Sequence, residues 1–150
     1  MSLRITHDPL KSFLENIDKN EDVIFTGSRR FGMKNNVSEI SDWDYVILKE
    51  DWKKVGPRIG LIYNDEKKDN YDNEFLFYSC HLLLDDKDYN IIVVDSMLEY
   101  RAWKYATNSF LAFIENSRNF EIMKIKENRV NMFEMLKQSF RTFYLCKKEN

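Results

Sequence analysis

The chain has 150 residues, and 43% of them are hydrophobic, which is enough to build the core of one compact domain. Its 23 Lys and Arg residues against 25 Asp and Glu residues give a net charge of −2, which argues against a protein that functions by wrapping nucleic acid. Two cysteines are too few for a disulfide scaffold. No apolar run approaches a membrane span and no apolar signal core opens the chain, so we expect a cytoplasmic protein without a membrane partner.

The first third of the chain alternates between helical and strand patterns. Apolar residues at helical spacing follow Asp8 and Pro9, a pair typical of a helix N-terminus. A short β-rich run then precedes a Gly-Ser pair, and a longer apolar strand follows a polar segment. In chain order the sequence predicts a helix ending near 20, a strand over 23–26, a turn and short helix or loop over 27–31, a polar segment over 32–41 and a strand over 43–48.

The remainder predicts a β-hairpin followed by helices. A short helix near 51 ends or bends at the Gly-Pro pair 56–57, and a charged loop covers 64–73. The hairpin has strands over 74–84 and 89–94 around an acidic turn, and a capping box at Ser96 begins a helix through about residue 106. A terminal helix places five apolar side chains on one face: Val130, Phe133, Leu136, Phe140 and Phe143.

This order predicts an α/β (α+β) fold in which helices pack on a small mixed β-sheet. We divide the chain into an α/β core over 1–108 and a C-terminal helical extension over 109–150, packed together as one compact unit. Basic residues recur in the last third, and an ordinary solvated helix face explains them better than a surface for RNA, a nucleotide tail or an acidic partner. They are Lys124, Lys126, Arg129, Lys137, Arg141, Lys147 and Lys148.

The Gly-Ser pair and the following acidic residues suggest a phosphate and metal site. Gly27 lets the backbone approach a ligand closely, and Ser28 can cap a segment whose free N–H groups favour an anion. Asp42 and Asp44 are two apart on a predicted strand, so their side chains leave the same face. Two neighbouring carboxylates repel each other unless a cation lies between them, and Mg²⁺ is the natural occupant.

These residues resemble the DNA polymerase beta-like nucleotidyltransferase superfamily, in particular its minimal bacterial or phage-type members. The resemblance rests on residues 25–32 (FTGSRRFG) and 41–46 (SDWDYV), which place a Gly-Ser pair after the first strand and Asp-x-Asp on the next. It implies an enzyme that moves a nucleoside monophosphate from a nucleoside triphosphate to an acceptor and releases pyrophosphate. It also implies two Mg²⁺ ions held by three carboxylates, and a Gly-Ser turn that grips the triphosphate.

Carried onto this chain, the resemblance assigns metal binding and catalysis to Asp42 and Asp44. It assigns nucleotide binding to the segment formed by Gly27, Ser28, Arg29 and Arg30. The two arginines have an equally good explanation as surface residues paired with Glu39 or Asp42. The acceptor stays open among RNA, a protein and a small molecule.

The third carboxylate departs from the family pattern, because the expected position is Asn90. An asparagine can ligate a metal through its carbonyl oxygen but cannot serve as a base. Asp95 lies on the opposite face by alternation, while Asp86 and Asp88 fall in the predicted turn. Either another acid moves in, or the site is weakened, or the chemistry is lost, and a second Mg²⁺ ion requires a competent third ligand.

Two other functions therefore stay open. In one of them, the chain is a catalytically weakened member of the same fold that binds nucleotide or a protein, as an inhibitor or antitoxin-like regulator. Alternatively, it is an interaction protein that shares only the fold and binds a protein partner through its C-terminal helices. His81 has only Cys80 beside it in the sequence, which favours an ordinary strand histidine over a metal ligand.

Overall fold

The computed structural model describes residues 9–33, 42–55, 68–72 and 75–149. The described part contains one five-stranded sheet in the order β1-β2-β5-β4-β3. Its strands are β1 Val23–Thr26, β2 Trp43–Leu48, β3 Lys68–Asp72, β4 Phe75–Leu84 and β5 Lys87–Val94. Strands β2 and β5 are parallel and the other pairs are antiparallel, so the expected mixed sheet with packed helices is confirmed.

Six α-helices of the described chain accompany the sheet. They are α1 Pro9–Glu15, α2 Gly27–Arg30, α3 Lys49–Val55, α4 Met97–Phe113, α5 Ser117–Met123 and α6 Lys126–Glu149, with a 3-10 turn over Ile17–Lys19 after α1. Helix α4 extends beyond its expected end near residue 106 and reaches Phe113. It therefore continues without a break across residue 108, where the sequence divides the core from the extension. Within the described residues, none of the helices combines the length and apolarity that a membrane crossing requires.

The prediction of a charged loop over 64–73 is wrong for residues 68–72, which form β3 at the edge of the sheet. An edge strand needs only one set of backbone partners and tolerates charged side chains, so its composition resembles that of a loop. Residues 64–67 and 73 lie outside the described chain, as do the polar segment over 34–41 and the Gly-Pro pair 56–57.

The acidic turn of the hairpin is shorter than the sequence indicates. Asp85 and Asp86 alone form it, with φ of 51° and 64°. Two successive positive φ angles are typical of a type I′ turn, whose twist matches that of the flanking strands. Lys87 and Asp88 consequently belong to β5, where Asp88 pairs with Leu83.

Alternation along the strands gives the sheet two covered faces. On one face α1, its 3-10 turn and α3 pack against a cluster centred on Tyr45, Ile47, Ile91 and Val93, all of which are essentially inaccessible to solvent. On the other face Val46, Leu48, Ile92 and Val94 pack under Trp103 of α4 and Phe133 of α6. Helix α6 also packs along α4, so the C-terminal helices are joined to the sheet core through α4 and Phe133.

Cationic side chains of α6 do not form the solvated face that the sequence indicated. Arg129, Lys137 and Arg141 are only 8%, 2% and 1% exposed, whereas Lys124 and Lys126 are exposed. The buried three recur at multiples of four residues and therefore share one side of the helix. Phe143 of the expected apolar face is instead 67% exposed. The prediction is wrong here because charge alone does not reveal a buried partner.

Lys137 contacts an acid and an aromatic ring, and Arg141 contacts a buried acid. The ammonium of Lys137 lies 2.9 Å from Glu134 Oε1 and 4.0 Å from the centroid of the Trp103 ring. Burial lowers the pKa of Lys137, and the contact with Glu134 opposes that shift. Arg141 makes two hydrogen bonds to Glu99 of α4, with Nε donating to Oε2 at 2.6 Å and Nη2 donating to Oε1 at 2.5 Å.

The Glu99 interaction explains why the capping box at the start of α4 is only half formed. Ser96 Oγ accepts a hydrogen bond from the Glu99 backbone N–H at 3.2 Å, as the motif predicts. The Glu99 carboxylate, 4% exposed, turns to Arg141 instead of returning to the Ser96 N–H. A bidentate pair of this kind fixes the position of α6 relative to α4.

We expect Arg141→Met to lower the free energy of unfolding by about 3–5 kcal/mol, because it leaves the Glu99 carboxylate buried without its partner. Urea denaturation monitored by circular dichroism measures this. The double substitution Glu99→Met with Arg141→Met should cost less than the single one, since no buried charge remains. Arg118→Met, at an exposed arginine of α5, is the matched control. An Arg141→Met loss no larger than that of Arg118→Met would contradict the account.

Candidate functional site

The Gly-Ser bend and the Asp-x-Asp strand meet in the structure. Thr26, the last residue of β1, pairs with Asp44 on β2, so the next residue in the chain, Gly27, lies beside the Asp44 carboxylate. Gly27 has φ +83°, and a Cβ atom added at this position would overlap Asp44 Oδ2. Only glycine satisfies both conditions, because other residues disfavour the left-handed region and any side chain collides with the carboxylate.

Asn90 orients this carboxylate. The parallel register of β2 and β5 places Asn90 directly opposite Asp44, and Asn90 Nδ2 donates a hydrogen bond to Asp44 Oδ1 at 3.0 Å. Ser79 Oγ on β4 donates to Asn90 Oδ1 at 2.6 Å. The amide oxygen of Asn90 is therefore engaged with Ser79 rather than turned toward Asp44. In this arrangement Asn90 positions the Asp44 carboxylate.

Burial is the main reason that the pKa of Asp44 is raised, to about 6. The hydrogen bond from Asn90 opposes that shift, while the nearby carboxylates of Asp42 and Asp88 reinforce it and His81 weakens it. A carboxyl group with such a pKa exchanges its proton near neutral pH, which is typical of functional sites. The same environment strongly favours a cation near Asp44, because a positive charge would offset the cost of ionisation.

Asp88 is the additional acid that sequence reasoning missed. It lies two residues before Asn90 on β5, and therefore on the same face of the sheet as Asn90 and Asp44. His81 Nδ1 lies 3.3 Å from Asp88 Oδ1 and 3.9 Å from Asp42 Oδ2. Burial and the proximity of Asp88 raise the pKa of Asp42. Alternation counted back from Asn90 could have found Asp88, had the turn been placed at residues 85–86.

Two neighbouring strands thus bring three carboxylates together at one end of the sheet. Asp42 immediately precedes β2, Asp44 lies on it, and Asp88 lies on the adjacent β5. Carboxylate oxygens are the ligands that hard divalent cations such as Mg²⁺ prefer. Asp42 and Asp88 are close enough to offer oxygen ligands to one ion, whereas Asp44 does not belong to the same group of ligand atoms. His81 stands on β4 opposite Asn90, as the expected strand histidine, with Asp88 as its partner.

A cavity of about 380 Å³ adjoins Asp44 and lies between the sheet and α6. Its polar end is formed by Thr26, Gly27, Ser28, Asp44, Ser79 and Asn90. Its apolar wall is formed by Phe31, Ile92, Trp103, Val130 and Phe133. Three charged residues of α6 complete the lining: Lys126, Arg129 and Glu134. The bend at Gly27 and the carboxylate of Asp44 therefore share one cavity, and α6 forms one side of it.

Arg29 and Arg30 lie outside the lining of this cavity. The guanidinium of Arg29 stacks over Trp43, with Cζ 4.9 Å from the ring centroid. Arg30 lines a separate cavity of about 220 Å³, together with the acids Asp18 and Glu21. Of the four residues assigned to nucleotide binding, Gly27 and Ser28 line the cavity beside Asp44, while the two arginines point elsewhere.

A scan against protein-family models and searches of curated proteins and of solved structures return no match for this chain. The likeness to nucleotidyltransferases therefore stands on the motifs alone.

We expect Gly27→Ala to destabilise the protein by at least about 2 kcal/mol more than Gly32→Ala. Both glycines have positive φ, so both substitutions carry the backbone strain of about 1–2 kcal/mol. A methyl group added at Gly32 would meet no atom within 4 Å, whereas one added at Gly27 meets Asp44. Chemical denaturation measures the difference. Combining Gly27→Ala with Asp44→Ala should remove the excess, and equal losses in the two single variants would contradict the contact.

The raised pKa of Asp44 predicts a pH dependence of stability in metal-free buffer. The folded-state pKa of about 6 exceeds the ordinary value of 3.8, so the folded protein binds more protons than the unfolded chain between these values. The free energy of unfolding should fall as the pH rises through this window, by up to about 3 kcal/mol. Asp44→Asn should reduce the fall and be more stable than wild type at pH 7.5. Urea titrations with EDTA at several pH values test this, and an undiminished fall in Asp44→Asn would refute it.

Proposed function

We propose that this protein is a Mg²⁺-dependent nucleotidyltransferase, which moves a nucleoside monophosphate from a nucleoside triphosphate to an acceptor. The observation that carries the proposal is the contact between Gly27 and Asp44 within a single cavity. A Gly-Ser bend supplies backbone N–H groups and a hydroxyl for phosphate oxygens, and the adjacent carboxylates supply ligands for the cation that those phosphates require. This juxtaposition is what metal-dependent phosphoryl chemistry needs.

The shape of the cavity supports a nucleotide as its occupant. A volume of about 380 Å³ falls within the usual range of small-molecule sites. Its apolar wall contains three aromatic rings, Phe31, Trp103 and Phe133, which suit the flat face of a nucleobase. Gly27 and Ser28 form the opposite, polar end, where the phosphates would lie. Lys126 at the α6 side adds a positive charge of the sign that a triphosphate attracts.

The reaction needs little covalent chemistry from the protein. An acceptor oxygen attacks the α-phosphorus, the bond from that phosphorus to the oxygen of the β-phosphate breaks, pyrophosphate leaves, and the acceptor proton passes to solvent. Gly27 and Ser28 would hold the phosphates, while Asp42 and Asp44 would hold the metal, with Asp88 as a further ligand for a second ion. Bound Mg²⁺ would neutralise the charge that develops on the leaving pyrophosphate. Catalysis would then come from positioning and electrostatics.

A nucleotide-binding regulator without turnover is the second candidate. The observation that favours it is the Asn90 side chain, which stands opposite Asp44 as a hydrogen-bond donor instead of a third carboxylate. A site of this kind would hold a triphosphate and its metal but stabilise the transition state less well than a complete set of acids. Such a protein would act on a partner, as an inhibitor or antitoxin-like module, through its nucleotide-bound state.

Incubation with each α-labelled nucleoside triphosphate, Mg²⁺ or Mn²⁺, and candidate acceptors distinguishes the two. We expect label transfer to RNA, a protein or a small hydroxyl compound, and a loss of at least about 100-fold in Asp44→Asn. Asp86→Asn, an equal charge change in the exposed turn, is the matched control and should retain the activity. Tight triphosphate binding without transfer would support the regulator. Transfer that survives in Asp44→Asn would overturn the proposed centre.

A further inference from the structure

A histidine stands beside two carboxylates at the open end of the sheet. One ligating atom from each of Asp42, His81 and Asp88 can be chosen so that all three lie within 4.8 Å of one another. The His81 nitrogen is 3.3 Å from Asp88 Oδ1 and 3.9 Å from Asp42 Oδ2. Ligands of one metal ion with bonds near 2.1 Å are separated by about 3 to 4 Å, so these distances suit three ligands of the same ion.

His81 and Asp88 come from adjacent strands in fixed register, and Asp42 immediately precedes the next strand, β2. Asn90 pairs with His81 on β4 and with Asp44 on β2, and Asp88 and Asp42 each lie two residues away from these positions on the same face. Sites built on hydrogen-bonded strands keep their geometry better than sites on loops. The sheet therefore fixes the backbone positions of His81 and Asp88, and Asp42 stands next to the end of β2.

The charges of the cluster call for a cation. Ligand oxygens of Asp42 and Asp88 lie within 4.8 Å of each other, and two ionised carboxylates at such a distance repel. His81 Nδ1 is the nitrogen that faces both carboxylates. The His81 side chain is 52% exposed, which leaves room for water to complete the coordination of a metal.

We propose that Asp42, His81 and Asp88 bind a divalent first-row transition metal ion, with His81 Nδ1 as the ligand that selects it over Mg²⁺. Imidazole nitrogen is a good ligand for transition ions, whereas Mg²⁺ takes oxygen ligands almost exclusively. Asp42 and Asp88 also belong to the proposed reaction centre. The inference therefore rests on the proposed function, because it names the metal that this centre uses. Metal binding itself, however, requires no transfer activity.

Mn²⁺ alone is the probe that tests the site, since its electron paramagnetic resonance signal distinguishes free from bound ion. We expect wild-type protein to bind Mn²⁺ at least about tenfold more tightly than Mg²⁺, measured by calorimetry. His81→Ala should weaken Mn²⁺ binding about tenfold or more and leave Mg²⁺ binding within about twofold. His7→Ala, at the other histidine of the chain, is the matched control for His81→Ala. Asp86→Asn is the matched control for Asp88→Asn.

Pulsed electron paramagnetic resonance gives a second readout, which reports directly on the atoms bound to Mn²⁺. Coupling of the bound Mn²⁺ to a ¹⁴N nucleus, absent in His81→Ala and present in His7→Ala, is the expected result. Bound Mn²⁺ without nitrogen coupling, or equal affinities in His81→Ala and His7→Ala, would overturn the inference even if Mg²⁺-dependent transfer is found. Conversely, a nitrogen-ligated Mn²⁺ in a protein that transfers no nucleotide would defeat the proposed function and leave this site standing.

Discussion

The close approach of the Asp44 carboxylate to the backbone of Gly27 is the constraint on which the rest of the site depends. It follows from the pairing of β1 with β2, since the strand that ends at Thr26 delivers the next residue beside Asp44. A side chain at Gly27 would push the acid away and separate the bend from the carboxylates. The bend and the acidic strand therefore form one unit. Glycine is required at residue 27 by the contact with Asp44 as well as by the positive φ angle.

On this face of the sheet, one end stabilises the fold and the other end lines the candidate site. Toward one end, Val46 and Ile92 are covered by α4 and α6 and stabilise the fold through burial. Toward the other end, the positions two residues earlier are Asp44 and Asn90, which are left beside a cavity. Burying a carboxylate there opposes folding, as the raised pKa of Asp44 indicates. Such a cost is typical of functional sites, where activity and stability place opposite demands on the same residues.

Much of the core could be predicted, because its patterns are local. Strand 23–26, strand 43–48 and the hairpin all depend on short apolar runs bounded by turn residues, and the structure contains each of them. The errors share a physical cause. Composition alone places the acid Asp88 in a turn and the cation Arg141 on a solvated surface, because it records charge but not the partner that a charge finds across the fold. The buried Glu99 that holds Arg141 is 42 residues away in sequence.

The central claim is that triphosphate and metal meet at Asp44, and one binding measurement tests it directly. Isothermal titration calorimetry with an α,β-methylene nucleoside triphosphate, which resists transfer, is performed with and without Mg²⁺ on wild type and Asp44→Asn. We expect wild-type binding to depend on Mg²⁺ and to lose this dependence in Asp44→Asn. Binding of equal strength without Mg²⁺, or an unchanged dependence on Mg²⁺ in the variant, would contradict the account.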